Sequence, residues 1–182
     1  VFGVILGTGV GGGVVLEGRV HPGAGMAAGE WGHNPLPRAG ADELPGPLCY
    51  CGRRGCVETW LSGPGLAADH ARMTGEEADA RGIAARAAAG DPRAAATLER
   101  WLERLGRALA VVVNILDPEV VVLGGGLSNI PDLARGVERA LEPHLFTDRR
   151  VTRVVRARHG DASGVRGAAR LWSEAEARAA GA

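Results

Sequence analysis

The sequence predicts an α/β domain with a mixed sheet, because segments with strand patterns and segments with helix patterns alternate along the chain. Residues 1–6 and 119–123 are short apolar runs rich in β-branched side chains, which is typical of buried strands. Residues 98–116 repeat apolar side chains with a period of 3.6, which predicts a long amphipathic helix. A chain of 182 residues is long enough for one domain with a substantial core.

The N-terminal part predicts a hairpin followed by a long excursion. Residues 1–6 form the first strand, a glycine-rich turn follows, and residues 14–16 continue as the second strand up to the turn at Glu17-Gly18. Prolines and glycines then recur through residues 20–48 with little periodicity. A loop of this length is unusual in a compact domain unless something holds it in place.

Helices and strands alternate through the rest of the chain. Asp91 is a suitable N-cap with Pro92 at the first helical position, and Asp117-Pro118 stops the same helix. The other predicted elements are helices at 65–73, 76–89, 131–141 and 163–179, and strands at 119–123 and 153–157.

Composition excludes several classes of function. The formal net charge is zero, so the chain has no basic footprint for nucleic acid or for an anionic membrane. All 21 basic residues are arginines, which removes lysine as a phosphate anchor or nucleophile. The sequence has no recognisable signal peptide and no apolar run of membrane-spanning length. The three cysteines are grouped like metal ligands and are therefore expected to be reduced, which predicts a cytoplasmic location.

The most informative stretch is residues 29–58, which reads GEWGH, a Pro/Gly-rich loop and then CYCGRRGCVE. All three cysteines lie here, at Cys49, Cys51 and Cys56, and His33 lies sixteen residues upstream of the first. Three thiolates and an imidazole are a complete tetrahedral ligand set for structural Zn²⁺. Zinc bound here would also hold the 20–48 excursion in place. The alternative is three reduced cysteines and an unrelated histidine, although random placement rarely gathers every cysteine within eight residues.

Two carboxylates bracket this cluster. Glu30 lies three residues before His33, and Glu58 lies two residues after Cys56. Ionised carboxylates only accept hydrogen bonds, so a rigid pair of them is suited to a polyhydroxylated ligand. Two solvated surface glutamates are the alternative interpretation.

Two glycine-rich turns are candidates for phosphate contact. GTGVGGG at residues 7–13 contains GxGxxG, but a strand follows it where a dinucleotide fold needs a helix, and the GK[ST] of a Walker loop is missing. The remaining interpretation is a hairpin turn whose N–H groups form an anion-binding nest, with the Thr8 hydroxyl beside it. Gly124-Gly125-Gly126 follows a strand and precedes a helix, so it is either a ligand-approach site or only a tight turn.

Five segments together resemble the ROK family of sugar kinases and sugar-responsive repressors: GTGVGGG (7–13), GEWGH (29–33), CYCGRRGCVE (49–58), LDPEVVVLGGGLS (116–128) and RHGDASGVRGAA (158–169). The resemblance implies an actin-like (ribonuclease-H-like) C-terminal lobe over residues 1–182, with 29–58 as a zinc- and sugar-binding loop. It also implies that the N-terminal lobe, which carries the first phosphate loop and the catalytic aspartate, lies outside these residues. We therefore assign no catalytic residue and expect the 182-residue chain alone to show no turnover.

The resemblance implies ATP-dependent phosphorylation of the 6-hydroxyl of N-acetylglucosamine or a related hexose, with Mg²⁺ accompanying ATP. Glu30, His33 and Glu58 would contact the sugar, and His33 would bind structural zinc together with Cys49, Cys51 and Cys56. The phosphates and adenosine of ATP would contact Gly7, Thr8, Gly9, Gly11, Gly12, Gly13, Gly124 and Gly125.

Partner predictions depend on which branch of the family applies. A kinase binds sugar and ATP, needs neither nucleic acid nor membrane, and by resemblance is a homodimer when full length. A repressor would carry the same sugar-binding region behind a helix-turn-helix, and the glycine hairpin favours the kinase. A zinc-stabilised interaction domain without a small ligand is a third possibility.

Overall fold

A mixed five-stranded sheet organises the residues that the structure, a computed structural model, describes, which are 1–147 and 151–170. The sheet order is β3-β2-β1-β4-β5. The strands are β1 (Phe2–Leu6), β2 (Val10–Leu16), β3 (Arg19–His21), β4 (Val120–Gly124) and β5 (Arg153–Arg156). Strand β1 is central, because it pairs antiparallel with β2 and parallel with β4. The predicted mixed sheet is therefore confirmed.

Six helices accompany the sheet in the described part of the chain: α1 (Val57–Leu61), α2 (Gly63–Thr74), α3 (Ala80–Ala88), α4 (Pro92–Leu116), α5 (Leu133–Leu141) and α6 (Ser163–Ala169). Helix α4 begins where the sequence predicts, since Asp91 Oδ1 accepts the N–H groups of Arg93 and Ala94 at 2.9 and 3.3 Å. It ends at Asp117, whose φ of 41° takes the backbone out of the helical region. The described helices include none that is long and apolar enough to cross a membrane.

The core lies between one face of the sheet and the helices. Side chains alternate along β1, so Phe2, Val4 and Leu6 are buried on the same face. They share one apolar cluster with Trp101 and Leu105 of α4, both almost fully buried. This packing fixes the central strand, and therefore the turns that leave its carboxyl end.

Element boundaries differ from the predictions for local reasons. Strand β3 was not predicted because all of its residues are exposed and carry no apolar alternation. Helix α3 begins at Ala80 rather than residue 76, because Asp79 caps it by accepting the Gly82 N–H at 2.7 Å. Glu76 instead forms ion pairs with arginines of α3 and α4. The final predicted helix, 163–179, is described as far as Ala169, and residues from 171 onward lie outside the described part.

Candidate sugar, nucleotide and metal sites

The carboxyl ends of β1 and β4 open into a cavity of about 730 Å³. The two strands are parallel neighbours, so the turns that follow them meet at one edge of the sheet, where α/β sheets bind ligands. Gly7 and Thr8 line the cavity from the hairpin side. Gly126 and the segment up to Pro131 line it from the side of β4.

The opposite wall of the cavity comes from helices that the sequence analysis did not assign to a site. Helix α3 contributes a row of small apolar side chains together with polar residues at its start, and α2 contributes its first turn. The lining residues from these helices are Gly63, Pro64, Ala67, Asp79, Ala80, Arg81, Ala84, Ala85 and Ala88. Their alanine-rich sequence predicted a helix but carried no signal of ligand contact.

The predicted phosphate-contacting glycines occupy different environments. Gly7 and Thr8 lie in the cavity wall, whereas Gly9 faces the Glu58 carboxylate. Gly11, Gly12 and Gly13 are part of β2 and pair with β1. On the side of β4 the described wall includes Gly126, while Gly124 ends the strand and Gly125, with a φ of +80°, packs against the Leu6 backbone.

The four predicted metal ligands come together. The ligand atoms of His33, Cys49, Cys51 and Cys56 all lie within 4.8 Å of one another. His33 Nδ1 is 3.5 Å from Cys49 Sγ, and the Sγ atoms of Cys51 and Cys56 are 3.6 Å apart. A tetrahedral ion with Zn–S bonds of about 2.3 Å separates its sulfur ligands by about 3.8 Å. The donor set and its spacing therefore fit zinc.

Backbone contacts bring the two halves of this cluster together. Pro35 and Cys56 form an isolated β-bridge, which places His33 beside the cysteine loop. Within the loop, Cys49 donates its N–H to the Arg53 carbonyl at 2.8 Å. The GEWGH turn packs directly on β2, where a Cβ atom at Gly32 would lie 2.0 Å from the Val10 carbonyl oxygen. Only glycine permits this approach, so the Cys/His cluster is fixed against the hairpin.

The two predicted carboxylates flank this cluster along the chain. Glu30 is exposed and immediately precedes the short 3-10 turn Trp31–His33. Glu58 lies in the first turn of α1, and its Oε2 accepts the Val10 N–H at 2.8 Å. His33 uses Nδ1 toward the sulfurs, while its Nε2 is 2.8 Å from the hydroxyl of Tyr50, a contact that sequence spacing did not reveal.

Several pKa values in this region depart from their usual range. Desolvation raises the pKa of the Tyr50 phenol, and the negative charge of Glu58 adds to the effect. Desolvation also raises the pKa of the Cys56 thiol to about 12, with Cys51 contributing a hydrogen bond in the same direction. A hydrogen bond from the Arg53 backbone lowers the pKa of the Cys51 thiol.

A buried group of ion pairs, which we call the arginine clamp, holds the 20–48 excursion against α4. Its members are Glu43, Asp69, Arg104 and Arg107, each less than a tenth exposed. Glu43 lies in the excursion and accepts hydrogen bonds from Arg104 Nε at 2.7 Å and from Arg107 Nη2 at 2.8 and 2.9 Å. Arg107 Nη1 also donates to the Pro37 and Arg38 carbonyls at 3.0 and 2.7 Å.

The arginine clamp extends to the helices beneath the metal loop. Arg104 Nη1 lies 3.1 Å from Asp69 Oδ1, and its guanidinium lies 4.5 Å from the Trp60 ring centroid. Desolvation alone would raise the pKa of Glu43, but hydrogen bonds from Arg107 and Arg104 outweigh it and lower the pKa to about 2. The excursion that zinc was predicted to hold in place is therefore attached a second time, by buried ion pairs to α4.

The mixed sheet and its flanking helices match solved structures that have the actin-like ATPase fold of the sugar-kinase type. The model of the ROK family matches residues 1–175, and the chain belongs to that family. It is 44% identical over 176 residues to the N-acetyl-D-glucosamine kinase of Escherichia coli O6:H1, and this match covers 94% of the chain. The chain spans 58% of the length of that relative.

Two solved structures illustrate the range of the family. A ROK family glucokinase from Streptomyces griseus, in complex with glucose and AMPPNP, matches with a TM-score of 0.81 and 28% identity, covering 93% of this chain and 59% of the other. A ROK family transcriptional regulator, a homologue of the E. coli MLC protein, matches with a TM-score of 0.72 and 28% identity, covering 85% and 41%. Kinases and regulators of the family thus share this fold.

Proposed function

We propose that this chain is the sugar-binding and part of the ATP-binding portion of a kinase that phosphorylates the 6-hydroxyl of N-acetylglucosamine or a related hexose. One observation carries the proposal: the carboxylate-flanked Cys/His cluster and the 730 Å³ cavity meet at the same glycine hairpin. A phosphoryl acceptor at the cluster and a donor in the cavity would therefore lie next to each other. The 41–44% identity to N-acetyl-D-glucosamine kinases supports this choice of sugar.

The metal in this proposal is structural zinc bound by His33, Cys49, Cys51 and Cys56. Four protein ligands leave no open coordination position, so the ion stabilises the loop and takes no direct part in chemistry. Fixing the loop also fixes Glu30 and Glu58, whose oxygens would accept hydrogen bonds from sugar hydroxyls. The free thiols of this cluster are consistent with a reducing, cytoplasmic location.

Nucleotide binding is proposed for the cavity between the hairpin and α3. The alanine row of α3 suits the apolar faces of an adenine ring, and the N–H groups near Gly7 and the Thr8 hydroxyl suit phosphate oxygens. Mg²⁺ bound to ATP supplies charge neutralisation during phosphoryl transfer. No general base is assigned to this chain, in keeping with the family resemblance.

The alternative function is sugar sensing by a transcriptional regulator, which the similarity to the ROK regulator supports. The two proposals differ in whether the full-length gene product contains a helix-turn-helix and in whether the cavity binds ATP. A helix-turn-helix in the full-length gene product, with saturable sugar binding but no ATP binding, would favour the regulator. Saturable binding of both ligands would favour the kinase, and binding of neither would leave a zinc-stabilised interaction domain.

The kinase proposal predicts a selective effect of Glu30→Gln in the full-length gene product. The neutral amide is a weaker acceptor for sugar hydroxyls, so KM for N-acetylglucosamine should rise about tenfold while KM for ATP stays within twofold. Coupled-assay kinetics over a panel of hexoses measure both constants and rank the substrates by kcat/KM. Glu77→Gln, at an exposed residue that belongs neither to the Cys/His cluster nor to the cavity lining, is the matched control. A similar rise in KM in the control, or none in Glu30→Gln, would contradict the assignment.

The zinc proposal predicts a role for Tyr50 in metal affinity. A zinc-bound histidine is oriented by the hydrogen bond of its other ring nitrogen, and here the partner is the Tyr50 hydroxyl. Tyr50→Phe keeps the edge-on ring contact with His33 but removes that hydroxyl. Zinc affinity should fall about tenfold in chelator competition. Unchanged zinc affinity would contradict a role for the Tyr50 hydroxyl in metal binding.

A further inference from the structure

Glu58 lies between the proposed sugar site and the proposed phosphate hairpin. It follows the metal-ligand candidate Cys56 by two residues, and its Oε2 accepts the N–H of Val10, the first residue of β2, at 2.8 Å. Among the described residues, Oε1 has no recorded hydrogen-bond partner. One oxygen of the carboxylate is therefore engaged by the hairpin backbone, and the other remains available to a ligand.

Gly9 is the position on the hairpin that admits this carboxylate. A Cβ atom there would lie 2.7 Å from Glu58 Oε2 and 3.6 Å from its carboxyl carbon. The backbone of Gly9 lies outside the left-handed region, so its conformation does not itself require glycine. A methyl group at this position would therefore displace the Glu58 carboxylate from its place on the hairpin.

We propose that Glu58 is a positioning residue shared by the two sites, holding the phosphate hairpin through Val10 while offering its second oxygen to a sugar hydroxyl. The inference rests on the proposed function and adds a link between the two ligands. Loss of the Glu58–hairpin contact disturbs the phosphate loop, and displacement of the hairpin disturbs the sugar site. Each site is therefore sensitive to a substitution made in the other.

The first test places a methyl group on the phosphate hairpin and measures the sugar. In the full-length gene product, Gly9→Ala should displace the Glu58 carboxylate and raise KM for N-acetylglucosamine at least tenfold. Gly3→Ala is the matched control, because a Cβ atom at that position of the same hairpin meets only the Gly13 carbonyl oxygen at an ordinary 3.7 Å. Melting temperature and zinc content, measured for both variants, separate this effect from a loss of folding.

The second test runs in the opposite direction and completes a double-mutant cycle. Glu58→Ala should raise KM for ATP at least threefold in addition to its effect on the sugar. Adding Gly9→Ala to that variant should change KM for the sugar by less than twofold, because the displaced carboxylate is already gone. If Gly9→Ala does not fold, the change in KM for ATP in Glu58→Ala is by itself the test of whether Glu58 serves both sites.

The outcomes distinguish the two levels of the proposal. Turnover by the wild type, combined with a Gly9→Ala effect confined to ATP, would show that this glycine serves the phosphates and would overturn the shared role. Additive effects in the cycle, or an unchanged KM for ATP in Glu58→Ala, would overturn it as well. Absence of sugar phosphorylation in the wild type would overturn the proposed function, and the inference with it.

Discussion

Cys56→Ala is expected to abolish stoichiometric zinc binding and to lower the melting temperature by about 10 °C. Cys56 is almost fully buried, and its sulfur lies 3.6 Å from Cys51 Sγ, so no other described side chain can take its place in the cluster. Structural zinc contributes directly to folding free energy, and a loss of about 3 kcal/mol shifts the melting temperature of a domain of this size by roughly 10 °C.

The measurement combines metal analysis by mass spectrometry with thermal unfolding in the presence and absence of a chelator. Wild-type protein should carry one zinc per chain and should be destabilised by the chelator, whereas Cys56→Ala should be insensitive to it. His21→Ala, on the exposed strand β3, is the control for a histidine and should retain both the metal and the chelator response. A wild-type protein that binds no metal when supplied with zinc would contradict the proposed site.

The convergence of the Cys/His cluster could be predicted from the sequence because cysteine and histidine are side-chain types that bind metals. Three cysteines within eight residues and a histidine sixteen residues away indicate convergence even without a fold. The physical means of convergence was not readable, since the Pro35–Cys56 bridge joins residues without any periodic pattern. Likewise, the GEWGH turn can pack against β2 only because Gly32 has no Cβ atom to clash with the Val10 carbonyl oxygen, and this contact is visible only in the folded structure.

The arginine clamp shows a different limit of sequence reasoning. Glu43 lies 61 and 64 residues from its partners Arg104 and Arg107 along the chain, so no local spacing indicates that they pair. Glutamate and arginine are rarely buried, and the default expectation is that both are solvated. On α4 the arginines fall beside an apolar face that the helical period predicts correctly, but the pattern does not tell which charges become buried. Attributing the ordered excursion to zinc alone was therefore incomplete.

The lining of the cavity was predicted only in part. Hydrophobic periodicity located the strands, and the glycine-rich turn between the first two was predicted to be an anion-binding nest; Gly7 and Thr8 of that turn lie in the cavity wall. The rule that ligands bind at strand carboxyl ends favoured the turn after β4 at Gly124 and Gly125, although the described wall contains their neighbour Gly126. The alanines of α3 gave no signal, because small apolar residues serve helix propensity and ligand walls equally well.

Glu43→Ala is expected to destabilise the domain by about 3 to 5 kcal/mol, because it leaves two buried guanidinium groups without their main counter-charge. Denaturant unfolding at neutral pH measures the change. Glu77→Ala, at an exposed residue away from the arginine clamp, should alter stability by less than about 0.5 kcal/mol. Zinc affinity should also weaken in Glu43→Ala, since the same carboxylate attaches the excursion that carries His33. A loss of stability equal to that of the control would show that the arginine clamp contributes nothing net.

The same carboxylate predicts how acid unfolds the wild type. Its pKa is about 2 in the folded protein against 4.5 as the ordinary value, so the unfolded chain binds the proton more readily. The stabilisation, about 3 kcal/mol by linkage, is fully present above pH 4.5 and is lost as the pH falls toward 2. Glu43→Ala should therefore show a flatter fall in unfolding free energy across this window than the wild type. Parallel curves for the two proteins would mean that protonation of Glu43 does not drive the loss of stability in acid. Asp69 would then be the next residue to substitute, because the surrounding arginines lower its pKa in spite of desolvation.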